Sequence, residues 1–484
     1  MHAVGVPTCP THVPKMMYPI IDRLQRVPPS LLLPQLWRFM LPLLLILLII
    51  DDSAATNDVA GQLVIWNDNG GWSWFEDDRA IVDAQAATVI VSSVANGRGT
   101  LGNERKGNIE IASYGGNNKA VQRQEIATQI QQDDHDSAAL WIRPDGRYLA
   151  MYSKHGSDSL SRYRISTTPH DISSWTSERI FENHAATTYS NLHYLPYENN
   201  NRGRLYNFTR TENFNPNFIF SDDQGESWTY GGRLLTIGEG DVRPYVRYAS
   251  DRHCIHFITT EHHPLNADTS IFHGYIEHGR LYDSHGRICD DNLFDRSAVH
   301  PNRLTQVFAV GTKVGETQMD HAWTIDLELD SAGNPFAVFS GRANDNPMDH
   351  RFFYAHWNGT TWNVSEVAKA GGFLYESEID YTGLAALDPV RPGCIYISTN
   401  IDPRNAENLP HYEIFKGSTS DSGGSWSWQP VTFNSTMDNI RPVVPKGNTF
   451  ALLWLRGAYH SYISYDLAVV GLTAIAPSNA SGEK

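Results

Sequence analysis

The chain has 484 residues and a formal charge of −16, with 38 Lys and Arg against 54 Asp and Glu. That balance excludes a nucleic-acid or anionic-membrane binder, which needs a basic face. Glycine (37), tyrosine (22) and tryptophan (13) are plentiful and cysteine is scarce (4), so many short strands and turns are expected, without disulfides as the main staple of so large a core.

The first landmark is LPLLLILLII at 41–50, between Arg38 and DDSAATND. It has the length of a signal-peptide apolar region and is short for a membrane span. Residues 1–55 therefore read as a leader or anchor with an upstream extension, secretion being preferred. Residues 56–473 carry continuous β patterning and read as one domain, with 474–484 as a disordered tail. QLVIWND, ATVIVSSV and NIEIASY open the domain as strands.

Six units follow, at 133–156, 188–210, 243–263, 321–342, 381–400 and 441–457. Each is an alternating strand, a turn with Gly, Asn or Pro, and a second apolar strand, the pattern of an antiparallel hairpin. Their starts at His135, Tyr189, Arg243, His321, Tyr381 and Arg441 are 54, 54, 78, 60 and 60 residues apart, a repeat in the range of propeller blades. A more polar pair after most hairpins would complete four-stranded blades. Two of these share a turn, Ser221-x-Asp223-x-Gly225-x-x-Trp228 and Thr419-x-Asp421-x-Gly423-x-x-Trp426, the Asp-box of sialidase-like propellers, which marks architecture. With the N-terminal strands the count is seven blades, and the expected fold is an all-β, seven-bladed β-propeller closed by SYISYDLAVVGL against the first blade.

In a hairpin the first residue of one strand lies beside the last of the other. His135 is thus expected opposite His155, Tyr189 opposite Arg210, Arg243 opposite His262 or His263, His321 opposite Arg342, and Arg441 opposite Arg456, all at one mouth. Five arginines against an acidic background suit a carboxylate-bearing ligand, which a guanidinium grips with two parallel hydrogen bonds. The chemistry this points to is removal of the C5 proton of a uronic acid whose carboxylate is neutralised, with protonation of the departing oxygen. His135, His155, Tyr189 and Arg210 are the expected catalytic group, the assignment of base and acid staying open, and Arg243, Tyr245, Tyr248, His321, Arg342 and Arg441 the expected substrate contacts. Asp133, Asp134 and Asp136 flank His135 and would orient it, hold a cation or form a turn. The partner is an acidic polysaccharide, with no nucleic acid or protein partner and a monomeric protein expected.

Cys254 and His256 alternate on one face of a strand and His273 lies on the next, so the three could meet around zinc. A fourth ligand is not fixed, since His253, His262, His263 and His278 compete. Such a metal would be structural, being far from the strand ends that carry the ring.

Through DDHDSAA…PDGRYLAMYSKHG, TYSNLHYL…LYNFTR, RPYVRY, YTGLAALDP…IYISTNIDP and DNIRPVVP…LWLRG, the chain resembles the seven-bladed β-propeller polysaccharide lyases, of the ulvan lyase and rhamnosyl-glucuronate lyase type, over about residues 130 to 472. The resemblance implies that the two family histidines match His135 and His155, the catalytic tyrosine Tyr189, with Tyr194 as competitor, and the carboxylate-neutralising arginine Arg210. It also implies a lyase leaving an unsaturated uronic residue, commonly next to rhamnose, and a structural zinc. A sialidase-like hydrolase, with Glu376 or Glu378 as its glutamate, and a non-catalytic carbohydrate-binding propeller are the alternatives.

Overall fold

The computed structural model describes residues 58–474 apart from 116–119, 239–242, 345 and 448–449. The expected leader and the C-terminal tail from 475 onward lie outside these residues. Seven antiparallel sheets succeed one another at 80–127, 139–182, 188–233, 246–308, 312–371, 385–430 and 438–474, the last completed by Val64–Asn67. The inner strands of successive blades touch around the ring from the first blade to the seventh. The fold is the expected seven-bladed β-propeller.

Closure differs in one respect from the expectation. The strand in QLVIWND is the outer strand of the seventh blade, where Val64 faces Gly471 and Ile65 faces Val470, so the first blade begins at Ala80. The chain is clasped by its two ends sharing one sheet, which removes the free edge an open ring would present. Both Asp-boxes lie between the third and fourth strands of their blades. Asp223 accepts from Ser227 N at 2.9 Å and Asp421 from Ser425 N at 2.9 Å, and Gly225 and Gly423 have φ of 88° and 95°.

The register at the mouth is shifted from a plain hairpin, by one residue in the third and fifth blades and by two in the seventh. Arg210 lies opposite Thr188, Arg342 opposite Asp320, and Arg456 opposite Asn439. Each of these three inner strands has a register shift that includes Tyr189, His321 or Arg441, with φ of 69°, 46° and 56°. A bulge of this kind re-aims a side chain, and positive φ on a bulky residue costs about 1–3 kcal/mol. The repeat therefore places the same local strain at equivalent points of three blades.

The segment at 68–79 (DNGGWSWFEDDR) fills the axis. Gly71 bridges to Val94 of the first blade, Glu76 accepts from Ser137 Oγ at 2.6 Å, and Asn191 Oδ1 accepts from Asp77 N at 3.1 Å. Asp77 accepts from Tyr248 N at 3.1 Å, Phe75 stacks on Trp323 at 3.8 Å, and Trp74 Nε1 donates to Thr382 O at 2.7 Å. In the seventh blade Leu467 O accepts from Gly70 N at 2.9 Å, and Arg441 donates to Ser73 O and Glu76 O at 2.9 and 3.0 Å. One stretch of chain thus contacts all seven blades. Trp72, Trp74 and Phe75 are buried in a cluster with Tyr189, Tyr245, Trp323, Tyr381 and Tyr459, which makes the plug the floor of the mouth. Phe75→Ala is expected to lower unfolding free energy by about 3–5 kcal/mol, read as a fall in denaturation midpoint; a change within error would mean the plug is not part of the cooperative core.

Candidate active site

His135 follows Asp133 in a single 3₁₀ turn (Asp134–Asp136), whose N-cap is Asp133 accepting from His135 N at 3.0 Å. The same carboxylate receives both imidazoles: Oδ1 lies 2.7 Å from His135 Nδ1 and Oδ2 lies 2.9 Å from His155 Nδ1. The two rings stack at 3.8 Å and 13°. On the other side of His155, its Nε2 is 3.2 Å from Arg210 Nη2, and Arg210 Nη1 donates to Tyr245 Oη at 3.3 Å. The Arg210 guanidinium lies 4.8 Å from the Tyr189 ring centre, and Tyr189 is 5.6 Å from His135, ring to ring. The four residues expected to be catalytic therefore meet, from the second and third blades.

Burial sets the charges. It pushes the Asp133 carboxyl up, but the charge on His135 and the bonds to both histidines hold it well below the usual range. His135 is opposed by its own burial yet raised above its ordinary value by Asp133. His155 is driven down to about 4 by burial, helped by the charge on His135. Burial lifts Asp134 to about 6 and, with Asp133, lifts Asp136 well above the ordinary carboxyl. Two adjacent imidazoles are thus separated into a cation and a neutral ring. Among the described residues the buried Tyr189 hydroxyl and Arg210 Nε have no hydrogen-bond partner.

Several expected substrate contacts are elsewhere. Arg441 is 1% exposed and is spent on the plug carbonyls, because a guanidinium that deep must be satisfied. Arg342 pairs with Asp380 at 2.7 Å, and Arg456 pairs with Asp58. His321 faces Pro264 O and, at 3.2 Å, Asp268. Tyr248 packs on Phe208 at 4.3 Å inside the core between blades. Tyr245 does stand in the site, and Arg243 stacks 4.6 Å over Phe214. Tyr194 is paired with Leu205 near the other end of its strand and packs on Trp141, which leaves Tyr189 as the tyrosine of the mouth.

The sequence reading did not single out Tyr462, whose ring stands edge-on to His135 and His155 at 5.4 and 5.5 Å. It arrives on the last hairpin, latched by Asp134 N donating to Tyr462 O at 2.9 Å and Tyr459 Oη to Asp134 at 3.0 Å. The run SYISYDL gave no sign of that reach. The floor residues Trp74 and Phe75 were also unassigned, although WSWFEDD is the densest aromatic and acidic run near the start of the domain. Glu378 is half-buried near the mouth, pushed up to about 7 by burial and Asp380, whereas Glu376 is exposed.

A cavity of about 380 Å³ lies at the far ends of the inner strands, lined by Asp77, Asp78, Asp326, Glu328, Arg247 and Lys446 among others. It is roomier than the cleft at Tyr189, Arg210 and Tyr245, and its one imidazole, His193, is bonded at both nitrogens, to Ser250 Oγ and Asp77 Oδ2 at 2.9 Å each.

His256 Nδ1 and His273 Nε2 meet at 3.1 Å, and His273 Nδ1 bonds Ser284 Oγ at 2.7 Å. Cys254 does not join them within the spacing of a shared ion. The expected zinc trio is not assembled by these side chains, and no step below uses a metal. Burial lowers His256 to about 4, and burial with the His256 charge lowers His273 further. Because both folded values lie below the ordinary 6.5, the unfolded chain binds more protons as pH falls from about 6.5 towards 4, and stability is lost over that window. A His256→Gln/His273→Gln variant should lose unfolding free energy less steeply there than the parent; parallel curves would refute the assignment.

A family model described as BNR repeat-containing family member matches residues 81–370. A solved PL25 ulvan lyase, bound to -[GlcA(1-4)Rha3S]-, is similar with TM-score 0.60 and 13% identity, covering 84% of this chain and 95% of that one. The polysaccharide lyase Uly1 is similar with TM-score 0.50 and 10% identity, over 87% of this chain and 96% of that one. No curated protein matches the chain. At these identities the likeness is one of fold.

Proposed function

Since the chain belongs to the BNR repeat-containing family, we propose that it is a secreted, monomeric polysaccharide lyase that cleaves a uronic-acid-containing polysaccharide by β-elimination, leaving an unsaturated uronic residue. The observation that carries this reading is the row Arg210–His155–Asp133–His135 beside the unpartnered Tyr189 hydroxyl. Arg210 is a fixed cation whose Nε is unmatched, so a carboxylate arriving there finds a charge-assisted partner and its C5 hydrogen becomes acidic. His155, neutral through burial, can accept that proton; His135 and Tyr189 can donate to the departing oxygen. The repeat bound by the PL25 structure, glucuronate next to a sulfated rhamnose, is the first substrate to test here.

Hydrolysis is the weaker reading. It needs two carboxyl groups flanking the glycosidic bond, and in this mouth Asp133 is turned onto the histidines, leaving Glu378 as the acid with the raised value expected of a donor. Arg342, a member of any arginine trio, is held by Asp380.

On ulvan or a rhamnosyl-glucuronate gum the protein should generate the ultraviolet absorbance of a conjugated uronic double bond. His155→Ala, Tyr189→Phe and Arg210→Ala should each lower that rate by about 10²-fold or more with circular dichroism unchanged. Full activity in Arg210→Ala would contradict its role, new reducing ends without absorbance would mean hydrolysis, and retention of polymer without either would mean a binding protein.

A further inference from the structure

We infer that Asp133 ties His135 and His155 into a single-proton pair, in which gain of a proton at one Nε2 expels the proton from the other. The chemical use of this pair rests on the lyase reading; its existence does not.

The geometry fixes the tautomers. A buried carboxylate accepts, so both Nδ1 atoms, at 2.7 and 2.9 Å from its two oxygens, carry hydrogen. With both Nδ1 atoms committed to Asp133, Nε2 is the nitrogen each ring has left for other partners. His155 Nε2 faces Arg210 Nη2 at 3.2 Å, and a guanidinium only donates, so this nitrogen is bare and His155 is neutral at rest. The proton of the pair then sits on His135.

Neither other loading is supported. Two protons would put two cations face to face at 3.8 Å, with Arg210 against the second ring. No proton would leave Asp133, 2% exposed, and its neighbour Asp134 without a facing cation. His135 faces Asp133 and Asp134 within 2.9 Å, Glu76 and Asp136 behind them, the Tyr189 ring at 5.6 Å and Glu378 across the mouth, and Asp133 is the largest of the influences that favour its charge. His155 meets Asp133, His135 and Arg210. Tyr462 closes both rings from the seventh blade with its edge.

In elimination the pair would act as base and acid together. The C5–H bond breaks and its proton goes to His155 Nε2; the electron pair forms the C4–C5 double bond; the C4–O bond breaks with its electrons on oxygen, which takes the Nε2 proton of His135. One proton is on the pair before and after, now on the other ring, and exchange with solvent restores the resting state. Asp133 touches no substrate atom and is a positioning residue.

The test is long-range proton–nitrogen NMR of the full chain labelled with ¹⁵N-histidine, assigned with His135→Gln and His155→Gln. Expected near neutral pH are one imidazolium and one neutral ring protonated at Nδ1, the imidazolium persisting above the pH at which ordinary histidines discharge. Two rings that titrate together as ordinary histidines, or two neutral rings, would overturn the inference without any further variant. Asp133→Asn should discharge His135, move the alkaline limb of the elimination rate to lower pH and reduce kcat on the order of 10²-fold with KM little changed, and Asp133→Glu should restore part of each. An unchanged pH profile in Asp133→Asn would sink the coupling while leaving the lyase reading intact. Wild-type protein that shows the single-proton pattern but makes no unsaturated product would sink the lyase reading and not the pair.

Discussion

Everything at the mouth depends on the plug at 68–79. A seven-bladed ring leaves an axial channel, and here it is closed by Trp72, Trp74 and Phe75 together with the backbone around them. The plug converts a hole into a floor, so the side chains above it pack on protein rather than line an open pore. That is why His135, Asp133 and Arg210 can be so deeply buried at a strand end, where side chains are ordinarily solvated. Low solvent access strengthens each electrostatic contact and separates the protonation states of two neighbouring histidines.

The plug also decides which arginines are available. Arg441 occupies a position equivalent to Tyr189 in the repeat, with the same positive φ, but its guanidinium is consumed by Ser73 and Glu76 carbonyls. The same bulge that aims a phenol into the site in the third blade aims a structural cation into the plug in the seventh. In the fifth blade it turns His321 towards Pro264. One repeated backbone device thus serves chemistry once and assembly at least once, and only the partner chemistry of each side chain separates the two.

Blade count, the Asp-boxes and the meeting of His135, His155, Tyr189 and Arg210 were legible because hairpin periodicity fixes strand ends and strand ends fix the mouth. The bulges were not, since alternation looks the same on either side of an inserted residue; Tyr189 was still found because the bulge moves its partner and not its place at the ring. The consumption of Arg342, Arg441 and Arg456 was illegible for a different reason: a buried guanidinium needs a partner, and Asp380, Ser73 and Asp58 lie distant in sequence. Asp133 fell between these cases. Its motif DDHD was visible, but a turn-former and a two-histidine bridge have the same sequence, and here the residue is both.

The two ends of the axis differ in how their charged groups are paired. The far cavity is lined by Asp77, Asp78, Asp326 and Glu328 together with Arg79, Arg247 and Lys446. Burial lifts Asp326 to about 6, and burial with Asp326 lifts Glu328 to about 8. At the histidine mouth the Asp133 carboxylate is turned inward onto both imidazoles, and the buried Arg210 guanidinium meets His155 Nε2 with its own Nε unmatched. The larger cavity therefore mixes carboxyls and cations along its wall, whereas the smaller cleft pairs one carboxylate with two imidazoles and sets the Arg210 guanidinium against them.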